Sequence, residues 1–166
     1  MPEPVPAPTV RPGRAGEIDQ IGALWGEMYA YQRDHGMQLP LRDDAVEIWK
    51  RQLAERLDSP VSVVLVAEAT GGAGLAGFLA AQTKRLPAHL VTGKPKVGFV
   101  SEVYVRPAER RRQLGRALVD AAFRWFDRAD VGSVELHVLA DNAVARSFWE
   151  SVGFRTELVQ MRAMRG

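Results

Sequence analysis

The chain has 166 residues, 46% of them hydrophobic and 25% charged, which is the length and composition of one globular domain. Its 22 Lys and Arg nearly balance 20 Asp and Glu, and a formal charge of +2 argues against nucleic acid as the main partner. The absence of cysteine removes disulfides, thiolate metal ligands and a cysteine nucleophile, and the scattered His35, His89 and His137 have no metal-ligand spacing. Any chemistry therefore falls to carboxylates, hydroxyls, backbone groups or a cosubstrate, and no metal is expected. No apolar run approaches the roughly 20 residues of a membrane span, and the start MPEPVPAP lacks the basic and apolar parts of a signal peptide. The expectation is a cytoplasmic protein without a membrane partner, with residues 1–8 a flexible Pro-rich leader and residues 9–166 a single domain.

A short extended piece near Thr9 to Arg11 comes first. Ile18, Ile21, Leu24, Trp25 and Met28 then recur at helical spacing, and the polar stretch YQRDHGMQLPLRDD ends that face near Tyr31. Asp43 or Asp44 can cap a second helix, whose stripe is Val46, Trp49, Leu53 and Leu57. Three strands follow, VSVVLVAEA, LAGFLAAQT and VGFVSEVYV, the last reached by a long loop holding Pro87 and Pro95. A helix from about Leu114 to Ala129, a strand SVELHVL, a helix from about Ala143 to Ser151 and a closing strand after Gly153 and Phe154 complete the chain. The order is β-α-α-β-β-β-α-β-α-β, an α/β (α+β) fold with a mixed sheet and helices on both faces.

The segment GAGLAG, with Gly72, Gly74 and Gly77, fits the G-x-G-x-x-G pattern of dinucleotide sites. That pattern requires a strand before it and a helix after it, so that the helix start meets pyrophosphate. Here the glycines lie between two strands, which predicts a hairpin turn.

The stretch RPAERRRQLGRALVD places five arginines, Arg106, Arg110, Arg111, Arg112 and Arg116, within eleven residues at the start of a helix. The backbone N–H groups near Leu114 to Ala117 have no intrahelical partner there, and such an end attracts anions. Arginines at a helix N-terminus oppose its dipole, and an anionic partner relieves that cost. Guanidinium groups gathered at one point suit the pyrophosphate of a small cofactor better than a groove-tracking nucleic-acid surface. Nucleic acid is not expected as a partner.

Val105, Pro107, Arg110, Gln113, Gly115 and Leu118 fall in the register V-x-P-x-x-R-x-x-G-x-G/A-x-x-L, with Gln113 replacing one glycine. Arg112, Gly115 and Ala117 give a second register of the core of that motif. Asn142, Ala145, Gly153 and Phe154 fit N-x-x-A-x-x-x-Y-x-x-x-G-F, with Trp149 in the place of tyrosine. On these motifs the chain resembles the GCN5-related N-acetyltransferases, from about residue 9 to 161. The resemblance implies a splayed mixed sheet that grips acetyl-CoA where VGFVSEVYV and SVELHVL part.

It further implies a role for each matching position. Val103 and Val105 would offer backbone N–H groups to the pantetheine arm and the acetyl carbonyl. Arg110, Arg111, Arg112, Gln113, Leu114, Gly115, Arg116 and Ala117 would hold the pyrophosphate. Asn142 would lie near the pantetheine, although a helix cap is an equally good use of it. Trp149 would wall the cofactor tunnel, or serve as core. Glu102, the lone carboxylate on its strand, is the candidate base, against a purely structural reading, and Tyr104 on the same strand face is a candidate proton donor, against the reading of a buried core tyrosine. The implied activity is direct transfer of acetyl from acetyl-CoA to a primary amine of a small molecule or protein, with non-catalytic acyl-CoA binding or sensing as the alternative. Tyr29 to Asp44 and the loop through Pro87 and Pro95 would shape the acceptor side, and a homodimer stays open.

Overall fold

In the computed structural model, residues 7–90, 93–110 and 112–166 are described. The elements are β1 (Val10–Pro12), a short 3-10 turn, α1 (Ile18–Arg33), α2 (Ala45–Leu57), β2 (Ser62–Glu68), β3 (Leu75–Arg85) and β4 (Lys96–Val105). A second 3-10 turn over Pro107–Glu109 leads to α3 (Leu114–Arg128), β5 (Ser133–Leu136) and α4 (Ala143–Ser151). The sheet order is β1-β2-β3-β4-β5. The first four strands are antiparallel, and β5 joins β4 in parallel.

Strand alternation divides the core in two, because successive side chains leave opposite faces of a sheet. Val64, Val66, Phe78 and Ala80 meet Ile21, Leu24, Trp49 and Leu53 from α1 and α2. Leu65, Ala67, Leu79 and Ala81 meet Leu118, Val119, Ala122 and Phe126 from α3, with Trp149 of α4 in the same cluster. Helices therefore cover both faces, as the periodicities predict. The glycines of GAGLAG form the β2–β3 hairpin: Gly72 and Gly74 have φ of 75° and 89°, and Ala69 N–H donates to the Gly74 carbonyl at 2.9 Å. Gly77 has its own reason. A Cβ there would lie 2.5 Å from the Tyr104 carbonyl oxygen on β4.

Two expectations need correction. β5 stops at Leu136, so His137 to Leu139 of SVELHVL are not strand. The closing strand expected after Gly153 and Phe154 does not form either, and residues 154–166 carry no regular structure. A β-rich sequence becomes a strand only when a neighbour accepts its ladder bonds. Of the expected leader, residues 1–6 lie outside the described residues.

Candidate functional site

β4 is paired unequally along its two edges. On the β3 side the ladder runs on to Val105, opposite Gly77. On the β5 side it ends with Val100 opposite Leu136. From Ser101 to Val105 one edge of β4 is therefore released from its parallel neighbour. Arg106 N–H donates to the Ala76 carbonyl across β3 at 2.9 Å. Since backbone groups alternate in direction along an antiparallel strand, the N–H groups of Val103 and Val105 face the released edge.

A bulge sits where the two strands part. Ala80 is opposite Glu102 while Ala81 is opposite Val100, so Ser101 is an extra residue in β4. The extra residue inverts the alternation. Val100 packs in the α3-side cluster, whereas Glu102, two positions on, turns to the side of α2. Ser101 Oγ donates to the Ala80 carbonyl at 3.1 Å, which satisfies an oxygen at the irregularity.

Glu102 is held by two independent donors, and the single Ser101 hydroxyl proton is shared between it and the Ala80 carbonyl. Trp49 Nε1 reaches its Oε1 at 3.3 Å and Arg56 Nη1 its Oε2 at 3.0 Å, and Ser101 Oγ also binds Oε2. Trp49 stacks on Trp25 at 5.2 Å between ring centroids, and Trp25 touches Tyr29 at 4.4 Å. Burial, then the nearby charge of Glu102, push the Tyr29 phenol above its ordinary pKa, with Arg56 acting against them. The carboxylate thus stands at the foot of an aromatic wall built by α1 and α2.

Tyr104, on the same face as Glu102, is buried in the α1/α2 core. Burial raises its phenol pKa and the charge of Glu27 adds to the rise. It therefore keeps its proton at neutral pH and serves as a hydrogen-bond donor more readily than as an acid. Glu27 itself forms an ion pair with Arg106 at 2.8 Å.

Beyond Val105 the chain turns through Pro107–Glu109 into α3. Gln113, where a glycine is usual in the motif, has φ 59° and ψ 14°, a left-handed conformation that glycine adopts without penalty. It precedes α3, whose first turn contains no acidic side chain and has no side-chain cap. The first helical bond is Ala117 N–H to the Gln113 carbonyl at 2.9 Å. Ala117 is thus withdrawn from the expected set of free donors, leaving those of Leu114, Gly115 and Arg116.

The arginines diverge. Arg110 Nε donates to the Val105 carbonyl at 3.0 Å, and its guanidinium lies 5.1 Å from the Tyr31 ring centroid and 5.9 Å from that of Tyr104. Arg112 binds Thr70 Oγ1 and pairs with Glu109 at 3.4 Å. Arg116 pairs with Asp120 along α3 at 3.1 Å. Arg111 lies outside the described residues.

Asn142 caps α4, accepting from Ala145 N–H at 3.1 Å. Trp149 is buried against Phe148 and Phe154, each 5.1 Å away between centroids and edge-on, as core aromatics arrange themselves. In the stretch Tyr29 to Asp44, expected to shape the acceptor side, Asp44 is taken up by Arg42 at 2.8 Å. The sequence reading missed Trp49 and Arg56 as partners of Glu102, and Glu27 and Arg106 beside Tyr104. Trp49 was visible only as part of an apolar stripe, and nothing local marked the others. Among the described residues no cluster of three or more His, Asp or Glu is placed to hold a metal ion, and no helix is long and apolar enough to cross a membrane.

Comparison with known proteins adds to this geometry. Mycothiol acetyltransferase of Catenulispora acidiphila is 36% identical over 83 residues, covering 50% of this chain and 26% of that protein. Its counterpart in Renibacterium salmoninarum is 36% identical over 62 residues, covering 37% of this chain and 18% of that protein. The chain thus spans well under half the length of either relative. Among solved structures, AAC(6')-Iy in complex with the bisubstrate analogue CoA-S-monomethyl-acetylneamine aligns over 97% of this chain and 100% of its own, with TM-score 0.73 and 18% identity. A predicted acetyltransferase from Clostridium acetobutylicum, solved with acetyl-CoA, aligns over 93% of this chain and 96% of its own, with TM-score 0.75 and 15% identity. These likenesses establish the fold. The family model for the acetyltransferase (GNAT) family matches residues 23–154, and the chain belongs to that family.

Proposed function

We propose that the protein transfers acetyl from acetyl-CoA directly to a primary amine of a small molecule. The observation that carries the reading is the released edge of β4 from Ser101 to Val105, which runs toward the uncapped N-terminus of α3. An extended amide-bearing chain fits that edge as an added strand, accepting from the N–H groups of Val103 and Val105. Its pyrophosphate then meets the N–H groups of Leu114, Gly115 and Arg116 at the positive end of α3. Arg110 and Arg112 supply mobile cations once they leave Val105, Thr70 and Glu109. The two members of the fold solved with a CoA analogue or with acetyl-CoA support this choice of cosubstrate.

The transfer forms a C–N bond between the amine and the acetyl carbon, breaks the C–S bond, and must dispose of one amine proton. The Val103 N–H, the farther of the two from α3, is aimed at the carbonyl oxygen and stabilises the charge that gathers there, while Val105 holds the arm. Glu102 takes the proton, directly or through water, from an amine arriving past the partly exposed Tyr29, which rests on the buried Trp25. Tyr104 steadies the leaving sulfur by hydrogen bonding. A thiol of pKa about 8.5 leaves tolerably without a full proton donor. Trp149, whose indole N–H is not acidic, has a packing role in this account.

A small-molecule acceptor is favoured by the relatives, an aminoglycoside acetyltransferase among the structures of the same fold and two mycothiol acetyltransferases. Thiol release from acetyl-CoA across a panel of primary amines tests the proposal. Release that depends on the amine and saturates supports it. Tight acetyl-CoA binding with no release across the panel overturns it in favour of a sensing domain.

A further inference from the structure

The released edge of β4 has a closed end. The ladder to β5 finishes with Val100 opposite Leu136, so the two backbones shut the gap in the plane of the sheet. On the α3 face that last pair belongs to the packed cluster of Leu118 and Trp149, both buried, and there is no room on that side. On the other face the closure is aromatic. Phe99, opposite Gln82 on β3 and Glu135 on β5, lies one position before Val100 and so turns to the face of Glu102. His137, the first residue beyond the ladder, meets the Phe99 ring edge-on, 5.2 Å between centroids and 74° between planes. Lys84 Nζ, from β3, stands 3.8 Å from the centroid of the same ring. Phe99 is thereby held between a cation and an imidazole.

The run of edge up to this closure is short. With the thioester carbonyl on the Val103 N–H and the pantetheine arm leading back to α3, the acyl chain points at Val100. Val103, Glu102 and Val100 are opposite Leu79, Ala80 and Ala81, because Ser101 is the extra residue of the bulge. Two steps along β3 therefore measure the gap, about 7 Å at roughly 3.3–3.4 Å per residue. Contact between the last acyl carbon and the closure takes up about 3.5–4 Å of it. What remains, about 3 Å, accepts the methyl of an acetyl group and is too little for a butyryl chain in line.

We infer, resting on the reading of the released edge as the acetyl-CoA site, that Phe99 and His137 form the stop that sets acyl length, so that acetyl is accepted and butyryl or longer chains are rejected. The pair is placed for selection rather than for support of the fold. Phe99 belongs to neither core cluster, and His137 is exposed. Lys84 backs the phenyl ring on the β3 side and keeps it from swinging away from the gap.

Calorimetric titration of coenzyme A, acetyl-CoA, butyryl-CoA and hexanoyl-CoA tests this without any acceptor. In the unmodified chain affinity is expected to fall about tenfold or more from acetyl-CoA to butyryl-CoA, the scale on which a filled site resists extra methylenes. Phe99→Ala should abolish that fall and bind hexanoyl-CoA more tightly than acetyl-CoA, since each methylene that finds apolar cover is worth about fourfold in affinity. His137→Ala, a change at an exposed position that spares the fold, should move the same way, whereas His137→Phe, which keeps an edge-on ring, should keep the discrimination. Far-ultraviolet circular dichroism shows which variants are folded. An unmodified chain indifferent to acyl length overturns the inference, and so does discrimination that survives in a folded alanine variant at either position. Failure of coenzyme A itself to bind removes instead the placement of the cosubstrate, and the stop with it.

Discussion

Arg56 on the last turn of α2 and Glu102 on β4 form an ion pair of 3.0 Å whose side chains are only 27% and 11% exposed. The pair ties α2 to the strand that is proposed to carry the cosubstrate. A carboxylate removed from such a place leaves a guanidinium without its partner, which costs more than the pair contributes. Glu102→Gln is therefore expected to lower the melting temperature as well as to cut turnover by roughly 100- to 10,000-fold, the usual worth of a general base. Acetyl-CoA affinity should be unchanged. Wild-type turnover in a folded Glu102→Gln variant removes Glu102 from the chemistry and leaves it a structural role.

Gln113 holds a left-handed conformation with φ 59°, and its side chain makes no cap to α3. Replacing a non-glycine residue there relieves about 1 kcal/mol, somewhat reduced by the greater freedom of glycine in the unfolded chain. Gln113→Gly should raise the melting temperature by about 2–4 °C, whereas the β-branched Gln113→Val should lower it. Calorimetric scans of both decide. A lower melting temperature for Gln113→Gly would contradict the strain assigned to this position.

The hydrogen bond from Arg11 depresses the Glu17 pKa below its ordinary 4.5, aided by the Arg14 N–H and opposed by burial. Because the folded value is the lower one, the stabilisation is present above the unfolded pKa and is lost as pH falls through the folded value. Glu17→Gln should cost about 1–3 kcal/mol at pH 7, as for a hydrogen bond between charged partners. The difference from wild type should shrink below pH 4.5 and vanish at lower pH. Urea unfolding at several pH values measures it, and a difference constant with pH would contradict the assignment.

The helices and the first strands were legible because their signals are local. The α4 boundaries and the hairpin at Gly72 and Gly74 can be read from caps, periodicity and turn chemistry alone. Two motifs were enough to point to the family. The bulge at Ser101 was not legible, since it depends on register across β3, and it decides which way Glu102 points. Arg56 and Trp49 reach Glu102 across 46 and 53 residues of sequence, a separation no local pattern records. The expected closing strand failed for a related reason, as pairing requires a neighbour that the sequence cannot place.

Trp149 is buried between Phe148 and Phe154. Trp149→Ala should destabilise the fold by about 3–5 kcal/mol, the cost of truncating a core aromatic. Trp149→Tyr should keep the fold and acetyl-CoA affinity, and any gain in thiol release would show that protonation of the leaving sulfur limits the reaction. Melting temperatures and release rates of the two variants check this.

The released edge of β4 and the start of α3 are proposed to hold one acetyl-CoA, and calorimetric titration of coenzyme A tests this most directly. Saturable binding at one site per chain is expected, and Arg110→Ala is expected to weaken it by about 1.5–3 kcal/mol, the worth of a hydrogen bond to a charged group. No heat of binding to the folded wild-type protein, or equal affinity in the variant, would contradict the placement of the pyrophosphate.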